Sequence, residues 1–152
     1  MRTELPPRCV YDASVLIKYV APERGSHELR ELLENMFESD GFVLYVPDLL
    51  YIECANILWK KVQRGEINAA TGTSRVDELS ALGLITTPLK QLNKRALQLA
   101  CELNISAYDA AYVALAEQKS VPLLTADMAL ARKLLGTQHM VITLEEYLPT
   151  AQ

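Results

Sequence analysis

The sequence predicts an α/β fold: a parallel β-sheet of four to five strands with helices on both faces. Short apolar runs recur at Cys9-Val10-Tyr11, Phe42-Val43-Leu44-Tyr45-Val46, Leu84-Ile85, Val121-Pro122-Leu123-Leu124 and Met140-Val141-Ile142. They are brief and lack polar alternation, as strands covered on both sides do. Longer stretches with helical spacing of apolar residues separate them, and strands alternating with helices argue a parallel sheet. At 152 residues, half of them hydrophobic, the chain can bury a real core and fits one domain, residues 1–152.

In order along the chain, Arg8-Cys9-Val10-Tyr11 reads as a buried strand that feeds a helix through almost no loop. Asp12 stands at the junction, and Pro22 is expected to end the helix. Ser26 opens a second helix with Leu29, Leu32, Leu33, Met36 and Phe37 on one stripe. Ser39-Asp40-Gly41 turns the chain into the second strand, which Pro47 ends. Pro47-Asp48 starts a helix to about Arg64, with Gly65 in the stop position just past it. Asn68 to Leu82 is a weaker helical pattern, and Gly83 to Thr86 a short strand. Thr87-Pro88 is a cap followed by a first-turn proline, so a helix is expected from there to about Glu102. Ser106 caps a helix from Ala107 to Lys119; a strand, a small helix from Asp127 to Leu135, a last strand and a turn around Glu145 to Leu148 complete the chain.

A formal charge of −4 and a pI near 5.2 give no global basic field, so nucleic acid would have to be met by a local patch or a metal. The three cysteines, Cys9, Cys54 and Cys101, are scattered without a C-x-x-C spacing, which suggests buried free thiols in a reducing cytoplasm. Met1 to Pro7 holds two prolines and two charges where a signal peptide needs an apolar core, and no run approaches a membrane span. His27 and His139 lie far from every acidic motif, which leaves a histidine-pair nuclease or a Ser-His-Asp hydrolase without support.

Four carboxylates stand out by position: Asp12, Glu53, Asp109 and Asp127. Glu53 lies on the stripe formed by Leu49, Leu50 and Ile57, and Asp109 on that of Ile105, Tyr112 and Val113, so both point toward the core. An unpaired ionised carboxylate there needs a partner, a proton or a cation. Structural roles compete with this reading. Asp12 would serve as a helix N-cap, Ser106-x-x-Asp109 as a capping box, and Asp127 as a first-turn acid complementing the helix dipole. Glu53 lies inside its helix, where neither cap nor dipole applies.

Asp12 and Asp127 follow strands, while Glu53 and Asp109 occupy the N-terminal parts of helices, so all four can converge at one end of the sheet. Carboxylates sharing a cleft repel one another, and the remedy is a hard divalent cation with oxygen ligands, Mg²⁺ or Mn²⁺. Such an ion acidifies a bound water and balances charge on a phosphate oxygen, which makes a phosphodiester the substrate class. Ser14 and Thr125, each two residues from an acid, would orient a carboxylate or a metal-bound water, or simply cap.

At these residues the chain resembles the PIN-domain family, in particular the VapC-type toxin ribonucleases of toxin–antitoxin pairs. The matching pieces are Asp12-Ala13-Ser14-Val15-Leu16-Ile17-Lys18; Pro47-Asp48-Leu49 with Glu53-Cys54-Ala55-Asn56; Tyr108-Asp109-Ala110-Ala111-Tyr112; and Leu123-Leu124-Thr125-Ala126-Asp127. The resemblance implies a PIN-like sheet, an acidic pocket for one or two Mg²⁺ or Mn²⁺ ions, endonucleolytic cleavage of RNA, a small cognate antitoxin and a homodimer. By position, Asp12, Glu53, Asp109 and Asp127 would be its catalytic and metal-binding acids, with Ser14 and Thr125 in support. Lys18, Lys60, Lys61, Arg64, Arg132 and Lys133 are candidate phosphate contacts, or solvated helix faces. The Leu29 to Phe37 stripe is core, or a groove for an antitoxin helix.

Two other classes fit parts of the pattern. One is a catalytically inactive PIN-type module that binds RNA or protein. The other is a phosphate-handling α/β domain such as a phosphoacceptor receiver or an aspartyl phosphatase; the phosphatase expects a second Asp where this chain has Ser14.

Overall fold

The computed structural model of the chain describes residues 5–21 and 26–147. β1 (Arg8–Tyr11) runs into α1 (Ala13–Val20) with Asp12 alone between them. There follow α2 (His27–Glu38), β2 (Val43–Pro47), α3 (Leu49–Gln63), α4 (Ala69–Ser80) and β3 (Ile85–Thr87). The second half comprises α5 (Asn93–Leu103), α6 (Ala107–Lys119), β4 (Leu123–Thr125), α7 (Met128–Leu134) and β5 (Val141–Thr143). Among the described residues the five strands form one sheet in the order β3-β2-β1-β4-β5, with every pairing parallel.

Strand order departs from β1 in both directions, so the chain reverses its course across the sheet between β1 and β4. In open α/β sheets the crevice at the carboxyl ends of such a strand pair is where ligands bind. Val10 pairs with Leu123 and Tyr11 with Leu124, so the next residues, Asp12 and Thr125, emerge side by side at that crevice. Strand residues Val10, Tyr11, Leu123 and Leu124 are buried, which pins the register through packing.

Helices flank the sheet in two groups: α1 touches α2, α3 and α4, while α5 pairs with α6, which lies against β1 and β2. Residues 110–116 of α6 are all buried, and their alanines let the helix approach the strands closely. Leu29, Leu33 and Met36 of α2 are buried, and Leu32 and Phe37 pack against the same core. The Phe37 ring meets that of Tyr19 edge-on at 5.6 Å. This stripe is therefore used as core.

The structure corrects several expectations. Thr87-Pro88 does not open a helix: Thr87 ends β3, a 3₁₀ turn spans Leu89–Gln91, and α5 begins at Asn93. Tertiary bonds hold the turn apart from the helix. The Leu89 amide donates to Oδ1 of Asp48 at 2.9 Å, the Asp48 amide donates to the Thr87 carbonyl at 3.0 Å, and Leu92 breaks the helical path with φ −113°. Cys9 and Cys54 are buried free thiols as expected, but Cys101 is exposed because it faces outward on α5. A 3₁₀ turn, Leu144–Glu146, follows β5 with Thr143 in a capping box. Pro22 and Leu148 lie outside the described residues. No helix among the described residues is long and apolar enough to cross a membrane.

Candidate active site

Asp12 occupies the N-cap position of α1, yet its side chain makes no capping bond. Its carboxylate instead accepts from two hydroxyls, Ser14 on Oδ1 and Thr125 on Oδ2. The two hydroxyl oxygens stand 3.4 Å apart, and the amide of Ala126 donates to the Ser14 oxygen at 2.9 Å. Thr125 is fully buried and Asp12 is 5 % exposed. Burial pushes the Asp12 carboxyl up to about 6; the two hydroxyls, and the nearby amides of Val15 and Ser14, oppose that shift without cancelling it. A carboxylate held this way is preoriented and short of a counter-charge.

Glu53 is the fifth residue of α3 and half-buried, at the rim of the core and not within it. Tyr112, on α6, donates its hydroxyl to Oε1 of Glu53 at 2.6 Å. Burial raises the Glu53 pKa, the Tyr112 bond lowers it, and the Asp109 charge raises it again. Asp109 is also half-buried in the first turn of α6, where its amide donates to the Ser106 cap at 3.0 Å. Burial and then the Asp127 charge raise its pKa, against a Ser106 hydrogen bond that lowers it. Cys54 lies beneath the same acids: burial first, then the charges of Glu53 and Asp12, push its thiol up to about 12 and leave it inert. Tyr112 is the residue that sequence reasoning passed over, having read it only as part of an apolar stripe. A phenol three residues after Asp109, on the same helix face, was the available signal.

Asp127 is the N-cap of α7: its Oδ1 accepts from the amides of Ala129 at 3.0 Å and Leu130 at 3.1 Å. Its own amide donates to the Thr125 hydroxyl at 2.9 Å, which links it through one residue to Asp12. The capping role therefore occupies one oxygen of this acid. Of the basic candidates, Lys61 and Arg64 pair with Glu66 at 3.3 and 3.2 Å, so Glu66 competes with any phosphate for them. Lys60, Arg132 and Lys133 are exposed and Lys18 is half-buried.

The donors gathered here are all hard oxygens, the chemistry that suits Mg²⁺ or Mn²⁺ rather than zinc. Among the described residues no three His, Cys, Asp or Glu side chains form a ready-made metal cage. That arrangement is compatible with Mg²⁺, which takes one or two carboxylates and completes its shell with waters and substrate phosphate. Three of the acids, Asp12, Glu53 and Asp109, have raised pKa values, with burial the largest cause at each and a neighbouring carboxylate adding to it at Glu53 and Asp109.

The chain matches the family model described as PIN domain over residues 9–133, which includes all four acids. It is 34% identical over 128 residues to a protein named Ribonuclease VapC3 of Pyrobaculum aerophilum, covering 83% of this chain and 94% of that one. It is 38% identical over 88 residues to Ribonuclease VapC9 of Mycobacterium tuberculosis, covering 58% of this chain and 68% of the relative. In three dimensions it is similar to a chain in the crystal structure of VapBC2 from Rickettsia felis bound to a DNA fragment from their promoter. There the TM-score is 0.67 at 10% identity, over 90% of this chain and 98% of that chain, a likeness of fold. The family match takes in strands β1 to β4 and the acidic crevice, and the chain belongs to the PIN domain family.

Proposed function

We propose that this chain is an endoribonuclease of the VapC type, the toxin of a toxin–antitoxin pair, and that it hydrolyses RNA phosphodiester bonds with Mg²⁺ or Mn²⁺. The observation that carries the reading is the Asp12 carboxylate, buried at the β1/β4 crevice and braced by Ser14 and Thr125. Relatives along most of the chain are named as ribonucleases, which supports the activity. The metal rests on the acids' oxygen chemistry and their raised pKa values.

Of Asp12, Glu53, Asp109 and Asp127, one or two would ligate the metal directly and the others would reach it through its bound waters. When bound, the ion supplies a counter-charge for the acids and the scissile phosphate and makes a coordinated water more acidic. Ser14 and Thr125 keep Asp12 from rotating, so its oxygens meet the site without a reorganisation cost. Glu53 is held in one rotamer by Tyr112. In this reading Asp109, half-buried in the first turn of α6, would take up the proton of the attacking water. The new P–O bond forms to that water and the bond to the leaving ribose oxygen breaks, with the proton passing to the leaving oxygen.

A small antitoxin and a second copy of the chain are the partners this reading brings with it. The test is cleavage of a mixed pool of structured RNAs with Mn²⁺ or Mg²⁺ against EDTA, beside Asp109→Asn. Metal-dependent cutting that is lost in the variant is the expected result. Intact folding with neither cutting nor metal binding at millimolar concentrations overturns the proposal.

A further inference from the structure

A cleft of about 650 Å³ opens from Glu53 along the outer face of α3 toward the first turn of α6. Ile52, Glu53, Asn56 and Trp59 succeed one another at helical spacing along its floor, and Tyr108, the residue before Asp109, closes it from the α6 side. Trp59 is 56 % exposed and Tyr108 65 % exposed, two large ring faces beside an acidic site. Solvent-exposed aromatics at the mouth of a charged crevice add nothing to the core, and the cleft shares Glu53 with the acid cluster.

The electrostatics explain why such rings would be needed. A chain of net charge −4 whose acids line the reaction site repels a polyanion. At the end of α3, Lys61 and the C-cap residue Arg64 pair with Glu66, which leaves Lys60 as the exposed cation beside Trp59. Stacking of a base on an aromatic ring supplies affinity that does not depend on charge and accepts any base. We propose that this cleft seats an unpaired nucleobase next to the scissile phosphate, stacked on Trp59 and Tyr108, with the Asn56 amide at the base edge. The proposal rests on the ribonuclease reading and adds to it the ring pair that would hold a base beside the cut.

Trp59 is the chain's one tryptophan, so its fluorescence reports on this cleft alone. The experiment titrates the full chain with a mixed-sequence single-stranded oligoribonucleotide, following Trp59 emission, and measures cleavage by wild type, Trp59→Ala, Trp59→Phe and Tyr108→Ala with Mn²⁺. Sedimentation is run at the same concentrations. The expected result is quenching by RNA, a KM raised roughly tenfold or more in Trp59→Ala with kcat little changed, and partial rescue by Trp59→Phe. Cutting at wild-type KM in Trp59→Ala with no quenching overturns the base subsite and leaves the nuclease intact. A change of oligomeric state in Trp59→Ala, again without RNA quenching, assigns the face to a second copy and also overturns it. Quenching without any cleavage keeps the subsite and removes the nuclease, while neither signal removes both.

Discussion

The Thr125 hydroxyl donates to Oδ2 of Asp12 across 113 residues of sequence, and the Thr125 oxygen itself accepts the amide of Asp127 at 2.9 Å. One buried hydroxyl thus couples the end of β1 to the start of α7. Thr125→Val keeps the shape and removes both bonds, leaving a buried amide and a carboxylate oxygen short of a partner. The expected cost is about 1–3 kcal/mol of stability, read by denaturant titration, with a loss of cleavage. Thr125→Ser should recover most of both; a Val variant as stable and active as wild type would contradict the role.

Burial of Asp12 makes metal-free stability depend on pH. Its folded pKa, about 6, lies above the ordinary 3.8, so the fold favours the protonated form. The penalty is absent below pH 4, grows as pH rises toward 6, and is complete above it, at roughly 3 kcal/mol. Asp12→Asn should therefore abolish cleavage yet melt at or above the wild-type temperature at pH 7.5 without metal. An Asn variant that melts well below wild type there would show the charge to be better compensated than its surroundings suggest.

Protons and cations compete for the same oxygens, so a divalent ion should raise the melting temperature more at pH 7.5 than at pH 5. Thermal melts with and without Mn²⁺ at the two pH values measure this. A shift that grows on acidification would speak against the acid cluster as the metal site.

Tyr112→Phe removes the 2.6 Å bond that lowers the Glu53 pKa. The Glu53 carboxyl should then titrate higher, and the acid limb of the pH–rate profile should move to higher pH with the fold retained. A profile that falls uniformly without moving would assign Tyr112 to packing alone.

Far from the crevice, Arg95 grips Glu117 through Nε at 2.7 Å and Nη2 at 2.8 Å, tying α5 to α6. The Arg95 bond holds the Glu117 pKa below the usual range, so its contribution is present above pH 4.5 and fades as pH falls through the lowered value. Glu117→Gln should lower the melting temperature slightly at pH 7, less so in high salt, and leave cleavage unchanged. Lost activity in this variant would link the α5–α6 pair to the site.

Local physics determined much of this protein from sequence alone. Buried apolar runs without alternation announced a parallel sheet, and Ser106 and Gly65 marked helix ends through capping and left-handed geometry that act within a few residues. The unusual placement of Glu53 within a helix, and of Asp12 between a strand and a helix, was legible for the same reason.

What needed the tertiary structure were the choices made between distant residues. Asp12 stands where an N-cap would, but hydroxyls from Ser14 and from Thr125 on a neighbouring strand took its oxygens, whereas Asp127 kept the capping bonds to its own helix. Tyr112 looked like core until α6 brought it to Glu53, 59 residues away. The turn after Thr87 stayed out of α5 because Asp48, just past the end of the neighbouring strand β2, holds Leu89. Each outcome turned on a polar group that could bond locally or across the fold, and strand register and helix packing placed the distant partner within reach.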